Sequence, residues 1–302
     1  MVYTLTLNPC IDYFVNLPKF SVSAINRAED TALFAGGKGI NVSAVLKGLG
    51  VKNTALGFVA GDTGKMLVSI LSKTGINSDF AEVKEGFTRI NVKIKSDTET
   101  EINGKGPQIT KEDFSALFSK LENLSEGDTI VLAGSLPSNL PSDTYASIMS
   151  RLSSKRVRVI VDTTGAALTS CLAHRPYMIK PNHIELAEIY GKPHLSRDEI
   201  IDCAKDLQSK GAQNVLVSMG GDGAILVRSD GEVCFSDAPK GEVISTIGSG
   251  DSTVAGFIYA TEHGFSSQSI LDFSVSAGSA TAFVSGLASA EEIFDIYKLK
   301  LK

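Results

Sequence analysis

Short apolar runs of β character recur along the chain at Tyr3–Leu7, Thr129–Leu132, Val157–Val161, Tyr177–Ile179 and Asn214–Val217. Each is too short for a helix and suits a buried strand. Between them, in Gly39–Leu49, Lys111–Leu121, Ser142–Leu152 and Arg197–Gln208, the pattern is helical. This alternation predicts a mainly parallel sheet covered by helices on both faces. After Ala224 the pattern changes. Ala224–Val227 and Val233–Phe235 flank the turn signal Ser229-Asp-Gly231, which predicts an antiparallel hairpin. Ser252–His263, Ile270–Ser285 and Ala290–Tyr297 then read as helices. Two early pairs of extended pieces fit neither scheme: Tyr13–Leu17 with Asn26–Phe34, and Arg89–Lys95 with Glu99–Ile102. Each lies outside a crossover, so together they predict a small sheet projecting from the edge of the large one. No linker or internal repeat divides the chain, and one domain spanning residues 1–302 is expected.

Composition narrows the function classes. A chain of 302 residues, 43% hydrophobic and 21% charged, is long enough for a substantial core and ordinary for a globular protein. The formal net charge of −5 gives no electrostatic case for a nucleic-acid partner. No stretch approaches the roughly 20 apolar residues of a membrane span, and Met1–Leu7 is too short for a signal peptide. Cys10, Cys171, Cys203 and Cys234 are widely spaced without a C-x-x-C pair. They read as small core residues in a reducing compartment, so a cytoplasmic location is expected.

The most informative chemistry lies in Ser245-Thr-Ile-Gly-Ser-Gly-Asp-Ser-Thr-Val-Ala-Gly256. Gly248 and Gly250 let the backbone approach an anion closely, and the unbroken run from Val254 reads as a helix whose free N–H groups suit a phosphate. Asp251 at that turn makes sense if it takes a proton from a hydroxyl attacking the phosphate. Read in isolation, an N-cap among turn glycines is the favoured reading of Asp251. No Walker A loop occurs, and no Gly-x-Gly-x-x-Gly fingerprint follows the first strand.

The loop resembles the signature of the ribokinase-like sugar kinases, the PfkB carbohydrate kinase family, where the motif is typically Gly-Ala-Gly-Asp. Ser249 stands where Ala is commonest. Ala35-Gly-Gly-Lys-Gly-Ile-Asn-Val42 is similar to the family's first signature, in the right order along the chain. The resemblance implies a ribokinase-like three-layer α/β/α sandwich, with the small sheet as a lid formed by segments near 12–34 and 87–103. It implies that Asp251 is the catalytic base and that Gly248, Ser249 and Gly250 belong to an anion hole. The first signature, with Gly37, Lys38 and Asn41, would lie against the sugar.

Four further segments are weighed the same way. Asp12, closing Asn8-Pro-Cys-Ile-Asp12 after the first strand, is a turn residue on its own terms. The resemblance to the hexose-phosphate kinase branch makes it a sugar ligand. Alternation places Arg89, Asn91 and Lys93 on one face of their segment, which suits either a solvated edge or a phosphate dianion. The branch's Thr-Arg-x-Asn-x-Lys implies the latter, with Arg27 as a further cation. In Lys180-Pro-Asn-His-Ile-Glu185, Asn182 and Glu185 form either a capping pattern or, by resemblance, a magnesium and phosphate site helped by Asp162. The Gly-rich loop Ser218, Met219, Gly220, Gly221, Asp222 and Gly223 is on its own terms a plain tight turn; by resemblance it would meet ATP, with Lys180 and Gly250, and Ala277 would flank the adenine.

The expected activity is ATP- and Mg²⁺-dependent phosphorylation of a ketohexose phosphate, fructose 1-phosphate to fructose 1,6-bisphosphate. Tagatose 6-phosphate is the alternative substrate. A non-catalytic sugar-phosphate sensor on the same fold would need neither Asp251 nor Glu185. A homodimer through the lid is a further expectation.

Overall fold

The computed structural model describes residues 1–300. The chain opens with β1 (Val2–Thr6) and turns at once into β2 (Cys10–Asn16) and β3 (Asp30–Gly36). It returns through α1 (Lys38–Gly48), β4 (Asn53–Ala60), α2 (Gly61–Lys73) and β5 (Ala81–Val83). A second excursion, β6 (Arg89–Lys95) and β7 (Glu99–Asn103), precedes α3 (Lys111–Leu121). Alternation then resumes with β8 (Thr129–Ala133), α4 (Thr144–Leu152), β9 (Arg158–Asp162), α5 (Gly165–Thr169), β10 (Met178–Ile179), α6 (His183–Ile189), α7 (Arg197–Ser209) and β11 (Asn214–Ser218). The hairpin β12 (Ala224–Val227) and β13 (Val233–Ser236) leads to α8 (Ser249–Glu262), α9 (Ser267–Ala282) and α10 (Ala290–Lys300).

Nine strands form the large sheet in the order β13-β12-β11-β10-β9-β8-β1-β4-β5. All neighbours from β5 to β11 are parallel, and only the terminal hairpin runs antiparallel. Alternate strand residues face opposite layers. Val131 packs with Val42, Leu46, Val254, Phe257, Phe273 and Ile293, under α1, α8, α9 and α10. Its neighbours Ile130 and Leu132 pack with Leu117, Ile148, Leu186 and Leu207, under α3, α4, α6 and α7. These side chains are essentially inaccessible, and each contributes about 1.5–3 kcal/mol by leaving water. The expected three layers are therefore present.

The small sheet has the order β3-β2-β6-β7 and is assembled from the two excursions, as the extended pairs predicted. Sequence patterning missed β4, α2 and β5 altogether. Gly57 and Gly61 interrupt the apolar run there, yet Gly57 is required inside the strand. Its φ is +151°, and a β-carbon at this position would lie 2.0 Å from the Thr6 carbonyl oxygen of the neighbouring strand.

Because β1 is flanked by β4 on one side and β8 on the other, the sheet grows away from it in both directions. A crevice opens at the carboxyl ends of the strands around such a point. Asn8 follows β1 there, Gly134 follows β8, Asp162 ends β9, Lys180 follows β10 and Ser218 ends β11.

Candidate active site

Helix α8 starts in this crevice with Gly248 as its N-cap and without any side-chain capping bond. Asp251 is thus not the cap. The first bond of the helix runs from the Ser252 amide to the Gly248 carbonyl at 2.8 Å. The Gly250 and Asp251 amides find no backbone acceptor among the described residues, so they remain available to an anion. Asp251 is 5% exposed, and its Oδ2 accepts a hydrogen bond of 2.7 Å from Asn41 Nδ2 of α1. Burial, then the nearby negative charge of Asp162, push its carboxyl up to about 7. Lys38, the Asn41 bond and Lys180 pull the other way without prevailing.

Asp162 is buried completely. Its Oδ1 accepts a 3.1 Å bond from Lys38 Nζ and lies 3.4 Å from Lys180 Nζ. Burial alone would raise this carboxyl, but the charges of Lys180 and Lys38 outweigh it and hold it below the usual range. Lys38 is raised in turn, chiefly by Asp162. The Lys180 ammonium also lies against α8, 3.3 Å from where a β-carbon on Gly250 would be. Two cations therefore converge beside the free amides and the Asp251 carboxylate.

On the small sheet, Asp12 is in register with Asn91. Asn91 Nδ2 donates to Asp12 Oδ1 at 3.0 Å, and Asn91 Oδ1 accepts from the Gly104 amide. The Cys10 thiol donates to Asp12 at 3.4 Å, and its own ionisation is pushed up to about 12 by burial and then by the Asp12 charge. A β-carbon on Gly36 would sit 2.2 Å from Asp12 Oδ2, so only glycine leaves that carboxylate its place. Arg89 Nε donates to the Asn8 carbonyl at 3.1 Å, which fixes the guanidinium at the end of β1. Lys93 shares that face but is bound to Glu101 at 2.7 Å. Arg27 lies in the exposed connection between β2 and β3 and forms no ion pair among the described residues.

Asn182 and Glu185 form a reciprocal capping box on α6: Asn182 Oδ1 accepts from the Ile184 and Glu185 amides, and Glu185 Oε2 accepts from the Asn182 amide. No group of three or more His, Cys, Asp or Glu side chains is placed to hold a metal among the described residues. A divalent ion would thus need the phosphates of its nucleotide for much of its coordination. The buried, unpartnered Asp162 Oδ2 is an oxygen compatible with that role.

The loop Ser218, Met219, Gly220, Gly221, Asp222 and Gly223 closes on itself, with Met219 N–H donating to the Gly223 carbonyl. The Met219 side chain is core, so this residue offers backbone only. Ala277 faces α8 rather than open solvent. It is wholly buried between α9 and α8, where a β-carbon on Gly256 would lie 3.0 Å from its own. Small residues on that face of α9 let the helices approach, which looks the same in sequence as room for a base. Conversely, Gly134-Ser135 was missed. Ser135 is exposed at the mouth, beside Gly134, whose position faces Lys38. The signal was available: a glycine and a small polar residue directly after a strand of mostly apolar residues.

Clefts of about 420 and 470 Å³ occur elsewhere, beside Phe80 and beside Arg175. Neither contains the charged cluster.

The profile of the pfkB family carbohydrate kinases matches residues 5–293. A 1-phosphofructokinase from Bacillus subtilis is 44% identical over 291 residues, covering 96% of this chain and 95% of that one. A D-tagatose-1-phosphate kinase from Bacillus licheniformis is 38% identical over 294 residues, covering 97% and 96%. The crystal structure of phosphofructokinase-2 from Escherichia coli in complex with substrates and products superposes with a TM-score of 0.94 at 28% identity, over 100% of this chain and 99% of that one. The layered sheet with its small companion is the ribokinase-like architecture that the sequence implied.

Proposed function

The chain belongs to the pfkB family of carbohydrate kinases, and from that premise and the geometry of the crevice we propose that it phosphorylates fructose 1-phosphate with ATP. The observation that carries this reading is Asp251, buried beside two unpaired amides and aimed by Asn41. As a carboxylate it would accept the proton of the sugar's free terminal hydroxyl. That oxygen would form a bond to the γ-phosphorus as the bond to the bridging oxygen of ADP breaks. The amides of Gly250 and Asp251, with Lys38 and Lys180, would balance charge on the phosphoryl group in flight. Ser249 contributes backbone to the same turn. Mg²⁺, held by the ATP phosphates and through water by Asn182, Glu185 or Asp162, would supply further charge neutralisation.

Asp12 and Asn91 would meet adjacent sugar hydroxyls, with Gly37 leaving backbone exposed nearby. Arg89, with Lys93 beyond it, would hold the phosphate already on the substrate. The small sheet then serves as the lid of a single catalytic domain. Its face opposite Asp12 carries the exposed apolar residues Leu33, Ile90 and Ile102, which supports a homodimer formed through the lid. The four cysteines are free and buried, which supports a reducing, cytoplasmic setting.

Both of the relatives described above are named for ketoses phosphorylated at C1. That favours fructose 1-phosphate over tagatose 6-phosphate, whose phosphate lies at the opposite end. A coupled assay of ADP release at equal sugar concentrations decides it. Fructose 1-phosphate is expected to give the highest kcat/KM, ahead of tagatose 6-phosphate, fructose 6-phosphate and fructose. Equal rates with fructose would make the protein a plain sugar kinase. A preference for tagatose 6-phosphate would reverse the substrate while leaving the base in place.

A further inference from the structure

Loop Met219–Gly223 is pressed against the end of β13. A β-carbon on Gly223, whose φ is +86°, would lie 1.9 Å from the Ser236 carbonyl oxygen and 2.7 Å from the Ala238 amide nitrogen. Whatever fixes Ser236 therefore fixes the floor of this loop. The chain beyond Ser236 runs on, without a regular element, to Gly248 at the head of α8.

Ser236 is held by a polar cluster outside the crevice. Its hydroxyl donates to Asp272 Oδ1 of α9 at 2.5 Å. Gln268 Nε2 donates both to Asp272 Oδ2 at 3.2 Å and to the Phe235 carbonyl at 2.8 Å. Closing the cluster is Lys300, from the last turn of α10. Its Nζ donates to the Ser236 hydroxyl and lies 3.5 Å from Asp272 Oδ1. The Lys300 and Asp272 side chains are only 13% and 20% exposed. A lysine on a terminal helix would ordinarily hold its ammonium in water, and this one gives up most of that hydration.

We propose that Lys300 is a positioning residue for the nucleotide: by clamping Ser236 to Asp272 it holds the strand end on which loop Met219–Gly223 rests. This rests on assigning that loop to ATP. The geometry makes Lys300 the link between the C-terminal helix and a loop to which it contributes no side chain.

The test compares wild type with Lys300→Met, which keeps most of the apolar stem, and with Lys300→Arg, which keeps the charge. Calorimetry with a non-hydrolysable ATP analogue should give a Kd raised roughly 3- to 10-fold in Lys300→Met, as loss of one charged hydrogen bond allows. KM for ATP should rise in step, while kcat and KM for the sugar phosphate stay within about twofold. Lys300→Arg should recover most of the affinity. Amide exchange should accelerate in residues 219–224 and 235–238 and not in α3 or α4. Should Lys300→Met fail to fold, Ser236→Ala removes the shared hydroxyl without adding bulk, and the same split is expected. Unchanged analogue affinity in a folded variant would overturn the proposal. So would equal weakening toward both substrates, the mark of general loosening. Absence of analogue binding in the wild type would instead remove the assignment of the loop to ATP.

Discussion

Asp251→Asn separates what the Asp251 carboxylate does for the reaction from what it costs the fold. The carboxyl is raised from 3.8 to about 7, with burial as the leading cause. A rise of about 3 units at about 1.4 kcal/mol each puts the ceiling on this cost near 4 kcal/mol once the group is ionised. The folded pKa lies above the unfolded one, so the native state binds the proton more tightly. Wild-type stability therefore falls as pH rises from about 4 through 7. Asparagine carries no charge to desolvate, and its amide oxygen can still accept the Asn41 bond. The pull of Lys38 and Lys180 is already contained in that net shift; what lowers the ceiling is the amide Nδ2, whose N–H donors asparagine would bring into a buried place now held by a carboxylate oxygen. A gain of about 1–3 kcal/mol at pH 8, a few degrees in Tm, is expected, shrinking toward pH 5.

Turnover should move the opposite way. Loss of the base predicts a fall in kcat of roughly 10²–10⁴, with calorimetric affinity for sugar phosphate and nucleotide near wild type. The wild-type kcat/KM should lose activity on the acid side with a midpoint near 7, because the base must be ionised. Thermal melts at pH 5 and pH 8, run beside steady-state kinetics, read both sides. Turnover near wild type in the variant would remove Asp251 as the base. A variant less stable than wild type at pH 8 would show that the lysines, not burial, dominate this carboxylate.

Two further outcomes follow from the small sheet. Arg89→Ala should raise KM for the phosphorylated sugar about tenfold or more, with a much smaller change in KM for ATP, since it removes a charge-assisted pair to one substrate only; parallel rises in both would place Arg89 elsewhere. Ile102→Asp sets a charge on the exposed apolar face opposite Asp12 and should shift sedimentation toward monomer, whereas a protein that is already monomeric as wild type would remove the lid dimer.

Much of this was legible in the chain, for reasons that can be given residue by residue. The loop at Gly248–Asp251 is read locally, because its chemistry and its helix start lie within a few residues of each other. The small sheet is read from period-two segments that interrupt the alternation. β4 was not legible, because Gly57 looks like a breaker until Thr6 of β1 is placed against it. Asn182 and Glu185 satisfy both a capping box and a metal reading in sequence; the structure shows the capping box, and the two readings differ only once a nucleotide is present. Ala277 is expected beside the adenine from the family resemblance, and the same small residues also serve the packing of α9 on α8.

Least legible was the division of labour between two buried carboxylates. Asp162 and Asp251 lie in one crevice with the same two lysines, yet their environments push them apart. Asp162 receives both ammonium groups on a single oxygen and stays ionised. Asp251 receives a neutral amide donor and feels Asp162 as a like charge, so its proton is held until near neutrality. Two carboxylates separated in this way suit different tasks: one a fixed counter-charge that holds cations, the other a group that exchanges a proton in the working range. Lys38 and Asp162 are 124 residues apart in sequence, and Asn41 and Asp251 are 210 apart. Only the crossing of α1 over the carboxyl end of β1, with α8 beside it, brings these four residues together. The proposed proton acceptor is therefore a product of topology, whereas the motif that contains it is a product of local sequence.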